Sequence, residues 1–179
     1  MDKVNFLILA VIFALGYPAC AHAQKGQDAA IAEASQRFAI PENWIRAVIK
    51  IESGGDADAV SPKGATGLMQ LMPGTWAEMQ KAYDLSGDPF DPHANILAGT
   101  AYLKAMYERF GYPGLFAAYN AGPGRYEAFL NAEKTLPKET RDYLEKIEES
   151  LEGRAEFSLS YASGTDLFFH LSVQEEASP

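Results

Sequence analysis

The apolar residues between positions 28 and 152 recur mainly at intervals of three and four, which is the spacing of an amphipathic helix. This spacing predicts helices over 28–39, 41–53, 73–83, 92–110, 115–120, 125–130 and 137–152. Glycine and proline residues interrupt the pattern between these stretches, and no segment before residue 153 shows a convincing strand pair. The pattern therefore predicts an all-α domain built from many short helices.

The N-terminal residues follow a different pattern. Lys3 precedes an uninterrupted apolar run over residues 6–15, and residues 21–23 (A-H-A) supply the small residues of a cleavage site. The apolar run is too short to span a bilayer as an anchor. We therefore predict a signal peptide over 1–23, export to the periplasm, and a folded domain over 24–153 that has no membrane span.

Cys20 is the sole cysteine, and lipoprotein processing at this residue is the alternative to simple signal cleavage. Under simple cleavage the mature chain has no thiol, and His93 and His170 are its only histidines. A cysteine-based zinc site, a histidine-based metal centre and a Ser-His-Asp triad are therefore not expected. No metal and no cofactor are predicted.

The charge pattern argues against nucleic acid as a partner. The chain has 15 Lys and Arg residues against 24 Asp and Glu residues, a net charge of −9, and its basic residues form no cluster. Because binding of a phosphate backbone requires a basic surface, we expect no nucleic-acid partner.

The C-terminal residues change character once more. Phe157, Leu159 and Tyr161 alternate with polar residues, and a turn signal separates them from a β-rich stretch at 167–173. Residues 154–179 are therefore expected to form a short β-hairpin, or an extended tail that pairs with a partner. The alternative is a poorly ordered terminus, since an isolated hairpin is only marginally stable.

Glu52 is the candidate for acid–base chemistry. Three apolar residues stand seven, four and three positions before it: Ile45, Val48 and Ile49. Glu52 therefore lies on the apolar face of its own helix, which Gly54 and Gly55 are expected to end. Burial favours the protonated form of a carboxyl, so Glu52 is a candidate proton donor. The alternative is a core-edge carboxylate held by a backbone or arginine partner.

Four short motifs in order carry a resemblance to a known family. They are Glu52–Gly55 (E-S-G-G), Gly67–Gln70 (G-L-M-Q), Ala118–Gly122 (A-Y-N-A-G) and Thr140–Tyr143 (T-R-D-Y). Together they resemble the soluble lytic transglycosylase family, and the resemblance covers about residues 31–151. Each motif alone is weak, whereas the ordered set is specific. The resemblance implies a lysozyme-like all-α domain with a helical cleft.

The resemblance also implies a reaction on peptidoglycan glycan strands. It implies cleavage of the β-1,4 bond between N-acetylmuramic acid and N-acetylglucosamine, without water, to give a 1,6-anhydromuramyl end. Glu52 occupies the position of the single general acid and base. Ordinary glycosidases use two carboxyl groups instead. Asp56 and Asp58 are the nearest second carboxylates; we expect turn chemistry there, and a hydrolytic muramidase is the alternative.

Three residues in or near the first two motifs match substrate-binding positions of the family. Ser61 matches a serine that contacts the N-acetyl group or the catalytic carboxyl, with a cap before Pro62 as its alternative. Gln70 is expected to bind sugar hydroxyls or the acetamido group, with a backbone tie as its alternative, because a buried amide needs partners. Met72 is expected in a cleft wall, or else in the core.

The last two motifs supply three more substrate-binding residues. Tyr119 and Asn120 stand where a short helix is expected to end, so their side chains can reach a sugar. Tyr143 lies on the apolar face of its helix, and the matching tyrosine of the family directs its hydroxyl toward the catalytic glutamate. A plain core tyrosine is the alternative. Trp44 and Trp76 are expected in the core.

Two wider possibilities follow from the sequence. Small members of the family often serve secretion, conjugation or flagellar assemblies, so residues 154–179 are a candidate partner-binding segment. The fold could also act as a non-catalytic glycan-binding assembly factor, because a fold does not fix an activity. Retention of Glu52 and Gln70 argues for catalysis.

Overall fold

A computed structural model describes residues 18–151, with side chains from residue 24 onward. This part of the chain forms seven helices: α1 Pro18–Phe38, α2 Glu42–Glu52, α3 Pro73–Tyr83, α4 Pro92–Phe110, α5 Gly114–Ala121, α6 Pro123–Leu130 and α7 Lys138–Leu151. The predicted all-α class is confirmed. The predicted hairpin or tail at 154–179 lies outside the described residues, as does the predicted signal peptide up to residue 17.

The helix boundaries follow the sequence pattern closely from α3 onward. Asp91 caps α4 as its sequence suggests, since its Oδ1 accepts the N–H of Ala94 at 2.8 Å. Two boundaries near the N-terminus differ. The first helix begins at Pro18 rather than residue 28, because residues 18–27 favour helix without showing apolar periodicity. Pro41 is the N-cap of α2 and not its first helical residue.

The described chain divides between Ala105 and Met106, within α4, into two compact units. In the first unit α1 packs against α2, and α4 packs against Met69 at Gly99. The buried apolar side chains of these helices include Ala30, Ile31, Ala34, Phe38, Ile45, Ala47, Val48, Ile49, Ile96, Leu97, Ala101 and Leu103.

In the second unit α5 packs against both α6 and α7. Helix α5 is buried along most of its length, which explains why it reads as an almost continuous apolar stretch. The ring of Tyr126 meets Phe110 edge-on at 5.0 Å between centroids and stacks on Phe129 at 6.0 Å. A side chain at Gly114 would lie 2.7 Å from the Tyr126 hydroxyl, so this glycine sets how closely α5 approaches α6.

The prediction that the two tryptophans lie in the core is wrong. Trp44 and Trp76 are both half-buried. Trp44 precedes the buried residue Ile45 by one position, which turns it about 100° away from the centre of the apolar face of α2. An indole is also too large to be enclosed completely in most small domains.

Residues 54–72 connect α2 to α3 without regular secondary structure. They contain two isolated antiparallel bridges, Val60 with Thr66 and Thr66 with Leu71. The sequence predicted that the helical pattern is interrupted between residues 53 and 73, which is confirmed. The bridges were not expected, because the segment lacks the alternation that marks a strand.

Candidate functional site

Glu52 is the last residue of α2 and is half-buried. The residues that share its face, Ile45, Val48 and Ile49, are at most 6% exposed, so the predicted position at the edge of an apolar face is confirmed. Gly54 and Gly55 follow with φ angles of 65° and 90°, a conformation that favours glycine. The chain therefore turns immediately after Glu52, so the Glu52 carboxyl lies where α2 ends and the 54–72 segment begins.

Ser53 joins the end of α2 to the far side of this segment. Its hydroxyl donates to the carbonyl of Leu68 at 2.8 Å, with the carbonyl of Ile49 as a second acceptor at 3.2 Å. The same oxygen accepts the N–H of Gly55 at 3.1 Å. The residue next to Glu52 is thereby bonded to the Gly67–Gln70 motif. The sequence showed Ser53 only as part of a motif, and its partner is too distant along the chain to be recognised.

Ser61 shapes the turn between the two bridged stretches. Its hydroxyl accepts the N–H of Ala65 at 2.9 Å, and its own N–H donates to the Ala65 carbonyl at 2.9 Å. Gly64 closes the turn by donating to the Ser61 carbonyl at 2.9 Å. These bonds correspond to the structural alternative for Ser61, so contact with an N-acetyl group stays a prediction.

Gln70 has a left-handed backbone, with φ 48°, although it is not glycine. Its side-chain amide donates to the carbonyl of Gly67 at 2.9 Å and to that of Ala59 at 3.1 Å. Both N–H donors are therefore used within the segment, as in the predicted backbone tie. The opposite atom, Oε1, is the part of the amide that can accept a hydroxyl or acetamido N–H from a substrate.

Met72 follows the segment at the start of α3 and is 44% exposed. Val60 in the same segment is 59% exposed. The core alternative for Met72 is therefore wrong, and two apolar side chains of the 54–72 segment face solvent. Such exposed apolar groups suit the apolar faces of sugar rings.

The two neighbouring aspartates form a turn. An oxygen of Asp56 accepts the N–H of Asp58 at 3.0 Å, and both residues are exposed. This is the predicted Asx-type turn, which is confirmed. The Asp56 carboxylate is thus engaged in local backbone structure.

Sequence reasoning missed Asn95, a fully buried polar residue in the first turn of α4. Its side chain bonds to the backbone of Met69, Thr66 and Pro89 at 2.8, 3.2 and 2.7 Å. No sequence signal distinguishes Asn95 from an ordinary surface asparagine near a helix start.

Tyr119, Asn120 and Tyr143 belong to the second unit. Tyr119 and Tyr143 are 7% and 5% exposed, on the packed pair of helices α5 and α7, while Asn120 near the end of α5 is half-buried. The first unit holds the other predicted site residues: Glu52, Ser61, Gln70 and Met72. Three of these lie on one continuous segment that begins next to Glu52.

Among residues 18–151, no three His, Cys, Asp or Glu side chains converge as they would around a metal ion. Over the same stretch, none of the helices combines the length and apolar character that a bilayer span requires.

Comparison with known proteins adds an independent line of support. A family model described as "Transglycosylase SLT domain" matches residues 29–141. The chain is 37% identical over 126 residues to the soluble lytic murein transglycosylase of Escherichia coli K12, covering 60% of this chain and 20% of that protein. It is 34% identical over 119 residues to the membrane-bound lytic murein transglycosylase C of Photorhabdus laumondii, covering 58% and 33% respectively. The chain therefore spans only a fifth to a third of these relatives.

Solved structures give the same result for the fold. The lytic transglycosylase Slt of Pseudomonas aeruginosa, solved as an inactive glutamate-to-glutamine mutant, superposes with a TM-score of 0.63 at 32% identity. It covers 69% of this chain and 23% of the larger one. The 70 kDa soluble lytic transglycosylase of E. coli gives 0.63 at 33% identity, with the same coverage.

Proposed function

Because this chain belongs to the transglycosylase SLT domain family, we propose that it cleaves peptidoglycan glycan strands without hydrolysis. The bond cleaved is the β-1,4 link between N-acetylmuramic acid and N-acetylglucosamine, and the product carries a 1,6-anhydromuramyl end. The observation that carries this proposal is the position of Glu52. It is a half-buried carboxyl at a helix end, beside a loop that holds the amide of Gln70 in a fixed orientation.

Glu52 acts first as an acid and then as a base. Its protonated carboxyl gives a proton to the glycosidic oxygen, and the bond from that oxygen to muramyl C1 breaks. The muramyl C6 hydroxyl oxygen then bonds to C1 and gives its proton to the Glu52 carboxylate. The carboxyl is regenerated and no water is consumed.

A mechanism with one carboxylate is supported by the engagement of the nearest second one. Asp56 accepts a backbone N–H within its own turn and is exposed, whereas a hydrolytic base must hold a water across the scissile bond. The P. aeruginosa relative described as an inactive mutant carries a single glutamate-to-glutamine exchange, which also supports dependence on one glutamate.

The proposed substrate contacts follow from the residue types at and beside the motif positions. In the first unit, Oε1 of Gln70 accepts from the sugar and the exposed side chain of Met72 contacts a ring face. Ser61 orders the turn beside them. In the second unit, Tyr119, Asn120 and Tyr143 are the proposed contacts, since tyrosine and asparagine offer the stacking and hydrogen bonds that sugars use.

Mass spectrometry of the soluble products from purified sacculi tests this function. The proposal expects anhydro-muropeptides, each lighter by one water than the hydrolysed counterpart. Products with a free reducing end would establish a muramidase instead. Binding to sacculi without any soluble product from folded protein would establish a glycan-binding factor.

We further propose a periplasmic location and a role in local opening of the wall for an envelope assembly. The alternating residues of the 154–179 segment, whose sequence favours pairing with a partner strand, support this role. Deletion of residues 155–179 is expected to leave glycan cleavage unchanged and to abolish assembly function. Loss of cleavage on deletion would assign the segment to the enzyme itself.

A further inference from the structure

The side chain of Asn95 makes three hydrogen bonds to backbone groups, two of them in the 54–72 segment and one at Pro89, just before α4. Its Oδ1 accepts the N–H of Met69 at 2.8 Å, and its Nδ2 donates to the carbonyls of Thr66 and Pro89 at 3.2 and 2.7 Å. The side chain is 0% exposed. A buried amide satisfied in this way fixes the atoms that it contacts, because breaking any bond would leave a buried polar atom without a partner.

Gly67 fits directly against this amide. A Cβ at residue 67 would collide with Nδ2 of Asn95 and with the carbonyl oxygen of Pro89. The φ angle of 76° also favours glycine at this position. The backbone at the start of the Gly67–Gln70 motif therefore lies directly against the Asn95 side chain. A larger residue at position 67 would have to displace Asn95 or Pro89.

Met69 extends the contact along α4. Its side chain is fully buried, and a Cβ at Gly99 would lie 2.6 Å from the Met69 Cβ. The N–H of Met69 is the one bonded to Asn95. Both the main chain and the side chain of the residue before Gln70 are thus held by the N-terminal half of α4.

The residue before Met69 is bonded to the C-cap of α2. Ser53, which follows Glu52 directly, donates to the carbonyl of Leu68 at 2.8 Å. Leu68 is therefore bonded to the residue after the carboxyl, and Met69 is bonded to Asn95. Gln70 comes next. Its backbone is left-handed, a conformation that residues other than glycine rarely adopt.

We propose that Asn95 is a positioning residue for the reaction. It holds Leu68 and Met69 so that Gln70 keeps its left-handed backbone and directs Oε1 toward the substrate. This inference rests on the proposed function of the Glu52 site. Asn95 itself touches no substrate; it acts through Gln70.

A double-mutant cycle on kcat/KM tests this coupling. Asn95→Ala is expected to lower kcat/KM about tenfold in the wild-type background, because the variant removes the two hydrogen bonds that join the 54–72 segment to α4. In a Gln70→Ala background the same change is expected to lower it less than about twofold, since the group being positioned is already absent. An equal loss in both backgrounds would show that Asn95 does not act through Gln70 and would overturn the proposal.

A core truncation on the same helix supplies the control for general destabilisation. Leu103→Ala removes a fully buried side chain of α4 that does not bond to the 54–72 segment. At a temperature well below the melting temperature of each variant, Leu103→Ala should retain the wild-type kcat/KM. If Asn95→Ala does not fold, Asn95→Asp replaces it, because that variant keeps the volume and the acceptor for Met69.

A second measurement does not depend on cleavage. The side-chain amide resonances of Gln70 in an ¹⁵N–¹H NMR spectrum should shift toward exposed values in Asn95→Ala and stay unchanged in Leu103→Ala. If the wild-type protein releases no anhydro ends, the proposed function fails, and this measurement still decides whether Asn95 positions Gln70. Gln70 resonances that do not move in Asn95→Ala would overturn the proposal.

Discussion

The 54–72 segment and the helical pair α5 and α6 keep their conformations by different means. Backbone groups of the segment bond to its own side chains Ser61 and Gln70 and to Ser53 and Asn95 beside it, and its apolar residues Val60 and Met72 face solvent. In the helical pair, backbone groups are satisfied within the helices. Gly114 of α5 lies against Tyr126 of α6, whose ring also contacts Phe110 and Phe129.

This difference arises because every buried backbone N–H and C=O group needs a hydrogen-bond partner. A helix satisfies its own N–H and C=O groups, so its neighbours need only supply apolar surface. A buried segment without helix must find other partners, and polar side chains provide them. We therefore expect substitutions in the segment to change the site more than global stability, and substitutions in the aromatic cluster to do the reverse.

The largest expected effect is on the chemical step. Glu52→Gln removes the transferable proton while retaining shape, and cleavage of sacculi is expected to fall by about 10²-fold or more with no change in the melting temperature. Glu42→Gln is the matched control, since Glu42 lies on the same helix, bonds to Arg46 at 3.1 Å and is exposed. That variant should stay within about twofold of wild type. Substantial cleavage by Glu52→Gln would remove this residue from the mechanism.

The next largest effect is on stability. Tyr126→Ala is expected to lower the free energy of unfolding by about 3–5 kcal/mol, because it removes a ring that is 2% exposed and contacts Phe110 and Phe129. Leu130→Ala on the same helix removes a 53% exposed side chain and should change it by less than about 0.5 kcal/mol. Urea unfolding measures both. Equal small losses would show that the cluster does not stabilise this unit.

Glu52 also shows how much of the structure can be predicted from the sequence. Glu52 was found because the residues around it have helical spacing and because glycines end its helix. The span of α4 was found in the same way, from residue 92 to residue 110. Local periodicity and helix-ending residues are encoded within a few positions of each other, so one sequence is enough to recover them.

Contacts between distant positions were not recoverable. Asn95 bonds to Thr66 and Met69, and sequence reasoning did not single it out, because asparagine is mostly a surface residue. The left-handed φ of Gln70 was missed for the same reason, because it results from these contacts and not from the residue type. Ser61 was a candidate for substrate binding because it matches a serine of the family, and only the structure shows that its hydroxyl bonds to the backbone of Ala65.

Gly67→Ala tests the polar anchoring of the segment at its closest contact. The new Cβ would collide with Asn95. The alanine would also have to keep the left-handed φ of Gly67, which by itself costs more than about 1 kcal/mol. We expect reduced cleavage together with reduced stability. In contrast, Gly74→Ala in the first turn of α3 meets no atom within 4 Å and should leave both unchanged. A fully active and stable Gly67→Ala variant would contradict close packing at this contact.

A pair of substitutions at Gln70 separates its backbone from its amide. Gln70→Gly and Gln70→Ala both remove the amide, so cleavage should fall by the same factor. The glycine variant should be the more stable by about 1 kcal/mol, since φ is 48°. At Gln80, inside helix α3, the same pair should show the opposite order by about 1 kcal/mol. If alanine is the more stable at both sites, Gln70 is not strained.

The smallest expected effect separates the ring of Tyr126 from its hydroxyl. Burial raises the pKa of Tyr126 above its ordinary value, so the folded state favours the neutral phenol. Its contribution is complete below the unfolded pKa of about 10 and is lost as the pH rises through the folded value. Tyr126→Phe should therefore match wild-type stability near pH 7 to within about 1 kcal/mol and lose less stability above pH 10. Urea unfolding across this range measures the difference. Parallel alkaline losses would assign them to other groups and leave the aromatic contacts as the sole role of this residue.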